Sequence, residues 1–255
     1  VKNRTVTPEA DVDGLKTKST DIQMAAGQKL TVEGKLNSTD DTKIEADDLD
    51  LGTDKVNVGK KLTLEKATKS QAINIGTGAN DWNINNANYG KIKIGGTSQT
   101  GNININGATF KKPSDIETTG DVKLTGATKA GADGTSDMKI KAHAATLPTA
   151  SDTLAVKNLD LNLSGGIDLG LGKVKGAAGG KVTAKGATSG QDIYISDNPA
   201  DAPAADFRIA YRTINDTLDG FGGFDVAGEK HVYFYGGSVK KSINAAGKLG
   251  VEVRD

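Results

Sequence analysis

The sequence is short of several residue types, and each shortage excludes a class of protein. There is no cysteine, so the chain has no disulfide framework, no thiol nucleophile and no cysteine-based zinc site. Aromatic residues make up 4% and hydrophobic residues 36%, which predicts a slim core rather than a thick one. No stretch approaches the roughly 18 uninterrupted apolar residues of a membrane-spanning helix, so we expect no membrane insertion.

The charge balance argues against a nucleic-acid partner. The chain has 32 basic and 32 acidic side chains, and only 4 of the basic residues are arginine. Nucleic-acid binders have a basic surface in which arginine recognises phosphates and bases. We therefore expect no nucleic acid among its partners.

Candidate cation and cofactor motifs are weak. His143 and His231 lie far apart in sequence, and neither has a partner at metal-ligand spacing. The acidic run from Asp40 to Asp54 lacks the ligand pattern of known calcium loops, which predicts a solvated surface. The glycines of Gly170 to Gly176 lack the full spacing of a dinucleotide loop. We expect neither a metal nor a cofactor.

Alternation with period two dominates the sequence, and helical periodicity is nearly absent. Short alternating segments end in Gly, Asn or Asp, residues that tolerate turn conformations. Examples are KLTVEGKL (29–36), DKVNVGKKLTLEK (54–66), AINIG (72–76), KIKIGG (91–96), NINING (102–107) and DVKLTG (121–126). The chain is therefore predicted to be all-β.

The spacing of these strands favours a solenoid over a sandwich. Apolar positions recur about every 20 residues, since Ile75 to Ile94 is 19 residues, Ile84 to Ile105 is 21 and Ile105 to Leu124 is 19, and Ile75, Ile84, Ile94 and Ile105 follow one another at half-steps of about ten. A sandwich normally needs hairpin turns such as Asn-Gly, and Asn106-Gly107 is the only one here. We predict a parallel β-helix of about 12–13 coils and roughly 60 Å.

Within this fold, three further expectations concern local features. Inward positions should include Leu64, Ile75, Ile94 and Ile105, which would govern stability. Asparagines beside the apolar positions could form ladders between coils or occupy surface turns; they are Asn74, Asn83, Asn85, Asn104 and Asn106. Residues 196–207, which contain Pro199 and Pro203, are predicted to be a loop excursion from a single β-helix unit spanning 1–255.

Two segments resemble the repeat region of filamentous-haemagglutinin-like exoproteins, the surface adhesins of the two-partner secretion route. The similarity lies in KLTLEKATKSQAINIGTGANDWNINNANYGKIKIGG (61–96) and GNININGATF (101–110), with their Leu-Thr-Leu, Ile-Asn-Ile-Gly and Lys-Ile-Lys-Ile-Gly strands. The family's secretion domain carries Asn-Pro-Asn-Gly, whereas Asn198-Pro199 here is followed by Ala200. The resemblance therefore points to a stalk segment rather than the secretion domain.

The resemblance implies a fold, an export route and partners. The fold would be a right-handed parallel β-helix, secreted to the cell surface of a Gram-negative bacterium through an outer-membrane translocator barrel. The chain would be one piece of a longer exoprotein. Its external partner would be a glycan or protein on a host or neighbouring cell.

Four aromatic residues are candidate ligand contacts. In HVYFY (231–235), alternation places Tyr233 and Tyr235 on one face, where they could form a stacking platform for sugar rings. Trp82 and Tyr89 are the other two candidates, since a lone tryptophan often marks a contact site. The alternative for all four residues is that they pack within the fold.

We expect a non-catalytic structural and adhesive segment of a surface fibre, acting by display and multivalent contact. One alternative is a self-assembling filament or surface-layer subunit that associates end to end. Another is a polysaccharide lyase or hydrolase in which Arg208 and Arg212 clamp a uronate carboxylate, although an ordinary ion pair near Asp206 or Asp216 would also explain these arginines.

Overall fold

The computed structural model describes residues 4–6, 15–186, 191–198, 200, 202, 206–235, 243–248 and 253–254. These residues form 27 short strands, and every strand pairing among them is parallel. The prediction of an all-β parallel solenoid is confirmed.

The strands are two to thirteen residues long, as expected for a chain interrupted so often by glycine. The first thirteen are β1 (Arg4–Val6), β2 (Leu15–Thr17), β3 (Thr20–Gln23), β4 (Lys29–Val32), β5 (Leu36–Ser38), β6 (Thr42–Glu45), β7 (Asp48–Asp50), β8 (Val56–Glu65), β9 (Ile73–Ile75), β10 (Ala87–Gly95), β11 (Ile103–Asn106), β12 (Thr109–Phe110) and β13 (Ser114–Glu117).

The remaining strands follow in chain order. They are β14 (Val122–Thr125), β15 (Ala127–Ala130), β16 (Met138–Ala142), β17 (Ala145–Thr146), β18 (Thr153–Val156), β19 (Leu159–Leu163), β20 (Lys173–Gly176), β21 (Lys181–Gly186), β22 (Ile193–Ile195), β23 (Phe207–Ile209), β24 (Leu218–Asp219), β25 (Gly223–Tyr235), β26 (Ile243–Lys248) and β27 (Val253–Arg254). A 3-10 turn at Ile84–Asn86 and a π-helical turn at Thr213–Thr217 interrupt them.

The strands of the described residues form four sheets that run along the stack. The main sheet follows the order β2-β5-β8-β10-β13-β16-β19-β21-β25-β22-β23, and β3, β6, β26 and β27 branch from it. The others are β1-β4-β7, β17-β14-β11-β9 and β12-β15-β18-β20-β24. Each coil of the chain therefore contributes a strand to several sheets in turn.

One column of the main sheet contains ten stacked strands in the described residues, from Thr20 on β3 to Ile243 on β26. At about 4.8 Å per step, its nine steps span about 43 Å. The number of residues per step varies. Leu62 pairs with Ile92 and Val182 pairs with Phe224, whereas most other paired residues lie closer in sequence. Within the described column, the step between coils is therefore not a uniform 20 residues.

The long step from Val182 to Phe224 contains a reversal of strand order. β23 pairs with β22, and Ile209 at its end pairs with Ile167, whereas the earlier strand β22 pairs with β25. The later strand thus lies nearer the start of the stack. Of the loop predicted at 196–207, Phe207 begins β23, and Pro199 and Pro203 lie outside the described residues.

The core is a narrow column of branched aliphatic side chains. Leu64, Ile75, Ile94 and Ile105 are all fully buried, as predicted. The pairing places Ile94 in register with Leu64 on one side and Ile116 on the other, so inward residues stack on like residues in successive coils. Burial of each such side chain contributes roughly 1.5–3 kcal/mol.

Candidate binding groove

An open groove follows one corner of the stack, where the chain turns into the main sheet. Its first part has a volume of about 840 Å³ and is lined by residues that include Asn37, Asn57, Asn88, Gly59, Gly90 and Lys112. Its second part, about 460 Å³, is lined by residues that include Lys91, Pro113, Asp137, Lys139, Asn158 and Lys181. Gly90–Lys91 and Lys112–Pro113 are consecutive, so the two parts adjoin.

Two glycines let long strands bend at this corner. β8 and β10 each continue through the corner, with a shift of register between Tyr89 and Lys91. A Cβ at Gly59 would lie 2.3 Å from the Thr39 carbonyl oxygen, and one at Gly90 would lie 2.6 Å from the Gly59 carbonyl oxygen. Both positions therefore need glycine because the backbones of successive coils approach closely.

A ladder of asparagine amides lines the first part of the groove. Asn57 Nδ2 donates to Asn37 Oδ1 at 3.0 Å, and Asn88 Nδ2 donates to Asn57 Oδ1 at 3.0 Å. Lys111 Nζ donates to Asn88 Oδ1 at 3.2 Å. The three asparagines occupy in-register positions of successive strands, so one amide is presented per coil.

This ladder was not predicted from the sequence, which indicated a different set of asparagines. The predicted pair Asn74 and Asn104 does form an inter-coil hydrogen bond of 2.8 Å. Asn83 instead caps the 3-10 turn, and Asn85 accepts from the Thr109 backbone N–H. A signal for the groove ladder exists: Asn37 and Asn57 each follow an inward aliphatic residue and lie 20 residues apart.

The second part of the groove is lined by charges that pair with one another. Lys91 Nζ lies 2.7 Å from Asp115 Oδ2, and Lys139 Nζ lies 3.2 Å from Asp160 Oδ2. Asn158 Nδ2 donates to Asp137 Oδ1 at 2.8 Å. Because cations and carboxylates alternate along the wall, this part carries no field of one sign.

A wider network of ion pairs covers the outer surface of the main sheet. Glu117 lies between two lysines of neighbouring coils, at 2.7 Å from Lys93 Nζ and 3.0 Å from Lys141 Nζ. Glu65 similarly contacts Lys43 and Lys69. Burial opposes ionisation of Glu117, but the two lysines outweigh it and lower its pKa. The surface charges therefore join consecutive coils.

Two of the predicted ligand contacts, Trp82 and Tyr89, are buried. Trp82 is 1% exposed, and Lys66 Nζ lies 5.1 Å from its ring centroid. Tyr89 is 5% exposed, and its hydroxyl accepts from the Lys111 backbone N–H at 3.2 Å. Burial raises the pKa of Tyr89 to about 12. Their burial agrees with the packing alternative, although Tyr89 is also among the residues that line the first part of the groove. A role of either ring as a ligand contact stays a prediction.

Tyr233 and Tyr235 lie on the outward face of β25, as the alternation predicted. Val232 is buried, whereas both tyrosines are half-buried. Tyr194 stacks on Tyr233 with ring centroids 5.0 Å apart, and its centroid lies 5.6 Å from that of Tyr235. The tyrosines form a cluster across paired strands, which the sequence did not predict. Their role as sugar contacts stays a prediction.

The two arginines weighed for uronate binding share one carboxylate. Arg212 forms a bidentate pair with Asp168, in which Nε lies 2.9 Å from Oδ1 and an Nη donates to Oδ2. Arg208 Nη2 lies 3.8 Å from the same Oδ2, and Nη1 donates to the Ser196 carbonyl. Asp168, not Asp206 or Asp216, is therefore their ionic partner. The two arginines therefore form an ordinary ion pair, which was the alternative to uronate binding.

The histidines each contact one carboxylate. His143 Nδ1 lies 2.8 Å from Asp121 Oδ1, and His231 Nδ1 lies 3.3 Å from Asp192 Oδ1. Among the described residues, no group of three or more His, Asp or Glu side chains converges as a cation site.

Comparison with known proteins identifies no relative: no family model, no curated protein and no solved structure matches the chain. In the part of the chain that the structure describes, no helix combines the length and apolar character needed to cross a membrane.

Proposed function

We propose that the chain is a structural and adhesive segment of a secreted bacterial surface fibre, which acts by display and multivalent contact rather than by catalysis. The observation that carries the proposal is the column of ten parallel strands with a continuous aliphatic core. Such a stack separates whatever lies at its two ends by a fixed distance. Rigid separation is what a stalk requires.

The ion pairs on the main sheet support a mechanical role. Glu117 and Glu65 each contact at least one lysine of a neighbouring coil, so charged side chains add contacts between coils outside the core. A single exposed ion pair contributes little to the free energy of folding, but a network along one face sums many small contributions. The outer face of the stack is thereby stabilised without additional hydrophobic residues.

The groove supports the adhesive part of the proposal. It follows successive coils and presents asparagine amides in its first part and paired charges in its second part. Repeated weak contacts along a rod add through avidity when several copies are displayed together. The resemblance of residues 61–96 and 101–110 to surface adhesins agrees with secretion and with an outer-membrane translocator as export partner.

Bead retention under flow tests this function. Beads coated with the full chain at graded densities would pass over cells or immobilised cell-surface glycans. We expect retention to rise more steeply than coating density, because contacts add between copies. Beads coated with chemically unfolded chain are the matched control. Equal retention of the two bead types would refute the adhesive function.

Small-angle scattering tests the stalk itself. An elongated particle of constant cross-section is expected, with a length of at least about 43 Å from the described column. A compact, nearly spherical particle would contradict a role in separation. Filaments that grow end to end in electron micrographs would instead favour the self-assembling alternative.

A further inference from the structure

We infer that the asparagine ladder of the corner groove binds an extended, uncharged glycan, with one sugar unit at each coil. The inference rests on the proposed adhesive function and gives it a site and a ligand class. Three in-register amides, those of Asn37, Asn57 and Asn88, define the binding surface.

The ladder has the hydrogen-bonding capacity that sugars require. A primary amide has two N–H donors and a carbonyl oxygen with two lone pairs. Asn57 uses one N–H on Asn37, and Asn88 uses one on Asn57, so Asn57 and Asn88 each have a second N–H outside the ladder. Sugar hydroxyls both donate and accept, and therefore match a surface that presents donors and acceptors together.

The spacing of the amides selects an extended glycan over a peptide. Successive coils lie about 4.8 Å apart, which is close to the length of one pyranose unit in an extended β-linked chain. An extended peptide advances only about 3.3 Å per residue, so its groups would lose register after one coil. From β5 to β21 the groove crosses six steps, about 29 Å, which is enough for a hexasaccharide.

The charge of the groove favours a neutral glycan. Among the described residues that line the first part, Lys112 is the one ionic side chain, and Lys111 beside it binds Asn88. In the second part, Lys91, Lys139 and Lys181 are paired with aspartates. An acidic polymer would need unpaired cations along the wall.

Titration calorimetry with the full chain tests the inference. The probes are β-1,4-linked hexamers of glucose, mannose and xylose, the corresponding dimers, hexagalacturonate, and an uncharged extended peptide of equal length. At least one neutral hexamer is expected to bind in a saturable manner and more tightly than its dimer. Side-chain amide signals of Asn57 and Asn88 should shift in ¹⁵N spectra on binding.

Two matched variants distinguish the loss of a groove contact from the loss of an inter-coil hydrogen bond elsewhere in the fold. Asn57→Ala removes an amide in the groove, and Asn104→Ala removes an inter-coil amide bond of the same kind on another sheet. We expect Asn57→Ala to weaken hexamer binding about tenfold and Asn104→Ala to leave it unchanged. Asn88→Ala provides a second groove variant, and Trp82 fluorescence verifies that each variant is folded.

Several results would overturn the inference. They are tighter binding of hexagalacturonate or the peptide, equal weakening by Asn57→Ala and Asn104→Ala, or no saturable binding of any neutral hexamer. None of them alters the scattering result expected for a stalk. Failure of the groove is therefore distinguishable from failure of the proposed function.

Discussion

The Asp47 carboxylate accepts two hydrogen bonds of 2.6 Å from Thr68, one from the backbone N–H and one from the Oγ1 hydroxyl. It also accepts from the Gly27 backbone N–H at 2.5 Å. Asp47 is separated in sequence by 20 residues from Gly27 and by 21 residues from Thr68, so one buried carboxylate connects three successive coils. The Asp47 backbone N–H also donates to the Gln28 carbonyl at 3.1 Å, so the side chain adds to backbone pairing between the coils at this turn.

Substitution of Asp47 should destabilise the N-terminal coils. Asp47→Ala leaves three donors without their acceptor, and we expect a loss of about 1–3 kcal/mol in the free energy of unfolding. Asp48→Asn is the matched control, since Asp48 is more exposed and lies 3.5 Å from Lys29; its effect should be within about 0.5 kcal/mol. Urea titration of both variants measures the difference, and equal losses would contradict the assigned role.

Two hydrogen-bonded carboxylates, those of Asp47 and Asp152, predict a loss of stability in acid. Burial raises the pKa of Asp47 and Asp152, but hydrogen bonds from neighbouring N–H and O–H groups outweigh burial and lower both pKa values. A lowered pKa in the folded chain stabilises it above the unfolded value of about 3.9, and this contribution disappears as pH falls through the folded pKa.

We therefore expect the free energy of unfolding to be nearly constant from pH 7 to pH 5 and to fall below about pH 4. Urea titration across this range measures the change. Asp47→Asn should show a smaller decrease, because its side chain does not ionise. A decrease that begins above pH 6 would indicate that other groups dominate.

Ile94 and its neighbour Lys93 offer a direct test of the inward and outward assignment. Ile94 is fully buried between Leu64 and Ile116, whereas Lys93 pairs with Glu117 at the surface. Ile94→Asp should unfold several coils, because it buries an unpaired charge. Lys93→Glu should cost roughly 1 kcal/mol or less, through repulsion from Glu117. Hydrogen exchange locates the coils that open, and similar damage from both substitutions would disprove the assignment.

Glycines of the corner should differ sharply from other glycines in their tolerance of alanine. A Cβ at Gly59 would lie 2.3 Å from the Thr39 carbonyl, whereas one at Gly222 would lie no closer than 3.6 Å to a neighbouring atom. Gly59→Ala should cost about 1–3 kcal/mol by overpacking. Gly222→Ala should be neutral or stabilising by about 0.5 kcal/mol. Thermal melting compares the two, and a stable Gly59→Ala protein would show that the coils can separate at the bend.

Glu117 should make a contribution that depends on salt. Glu117→Gln leaves Lys93 and Lys141 without their shared anion on neighbouring coils. We expect a loss of about 1 kcal/mol at low ionic strength and a much smaller one in 1 M NaCl, where the screening length is about 3 Å. Melting at the two salt concentrations gives the comparison, and a loss that salt leaves unchanged would indicate a packing effect instead.

Much of the fold was predictable, because the features concerned are local or periodic. Alternation identified Leu64, Ile75, Ile94 and Ile105 as inward residues, since a strand exposes every second side chain to the same face. The same rule placed Tyr233 and Val232 on opposite faces of β25. The regular recurrence of inward positions favoured stacking in parallel coils over antiparallel hairpins.

The groove and its neighbours were less predictable, because they depend on which coils become adjacent. Asn88 lies 31 residues after Asn57 yet occupies the next coil, because the segment between them contains extra residues around Trp82. The position of Tyr194 beside Tyr233 depends on the reversed order of β22 and β23. A fixed period does not predict either neighbour.

The amino-acid sequence by itself determined the strand content, the parallel stacking and the inward residues, because alternation and recurrence act within or between consecutive segments. Tertiary structure decided the lengths of individual coils, the reversal between Val182 and Phe224 and the partners of Asp47, Asp168 and the asparagine ladder. Those features depend on how insertions between strands pack against distant coils, and a hydrogen bond between residues 20 to 44 positions apart follows only from that packing.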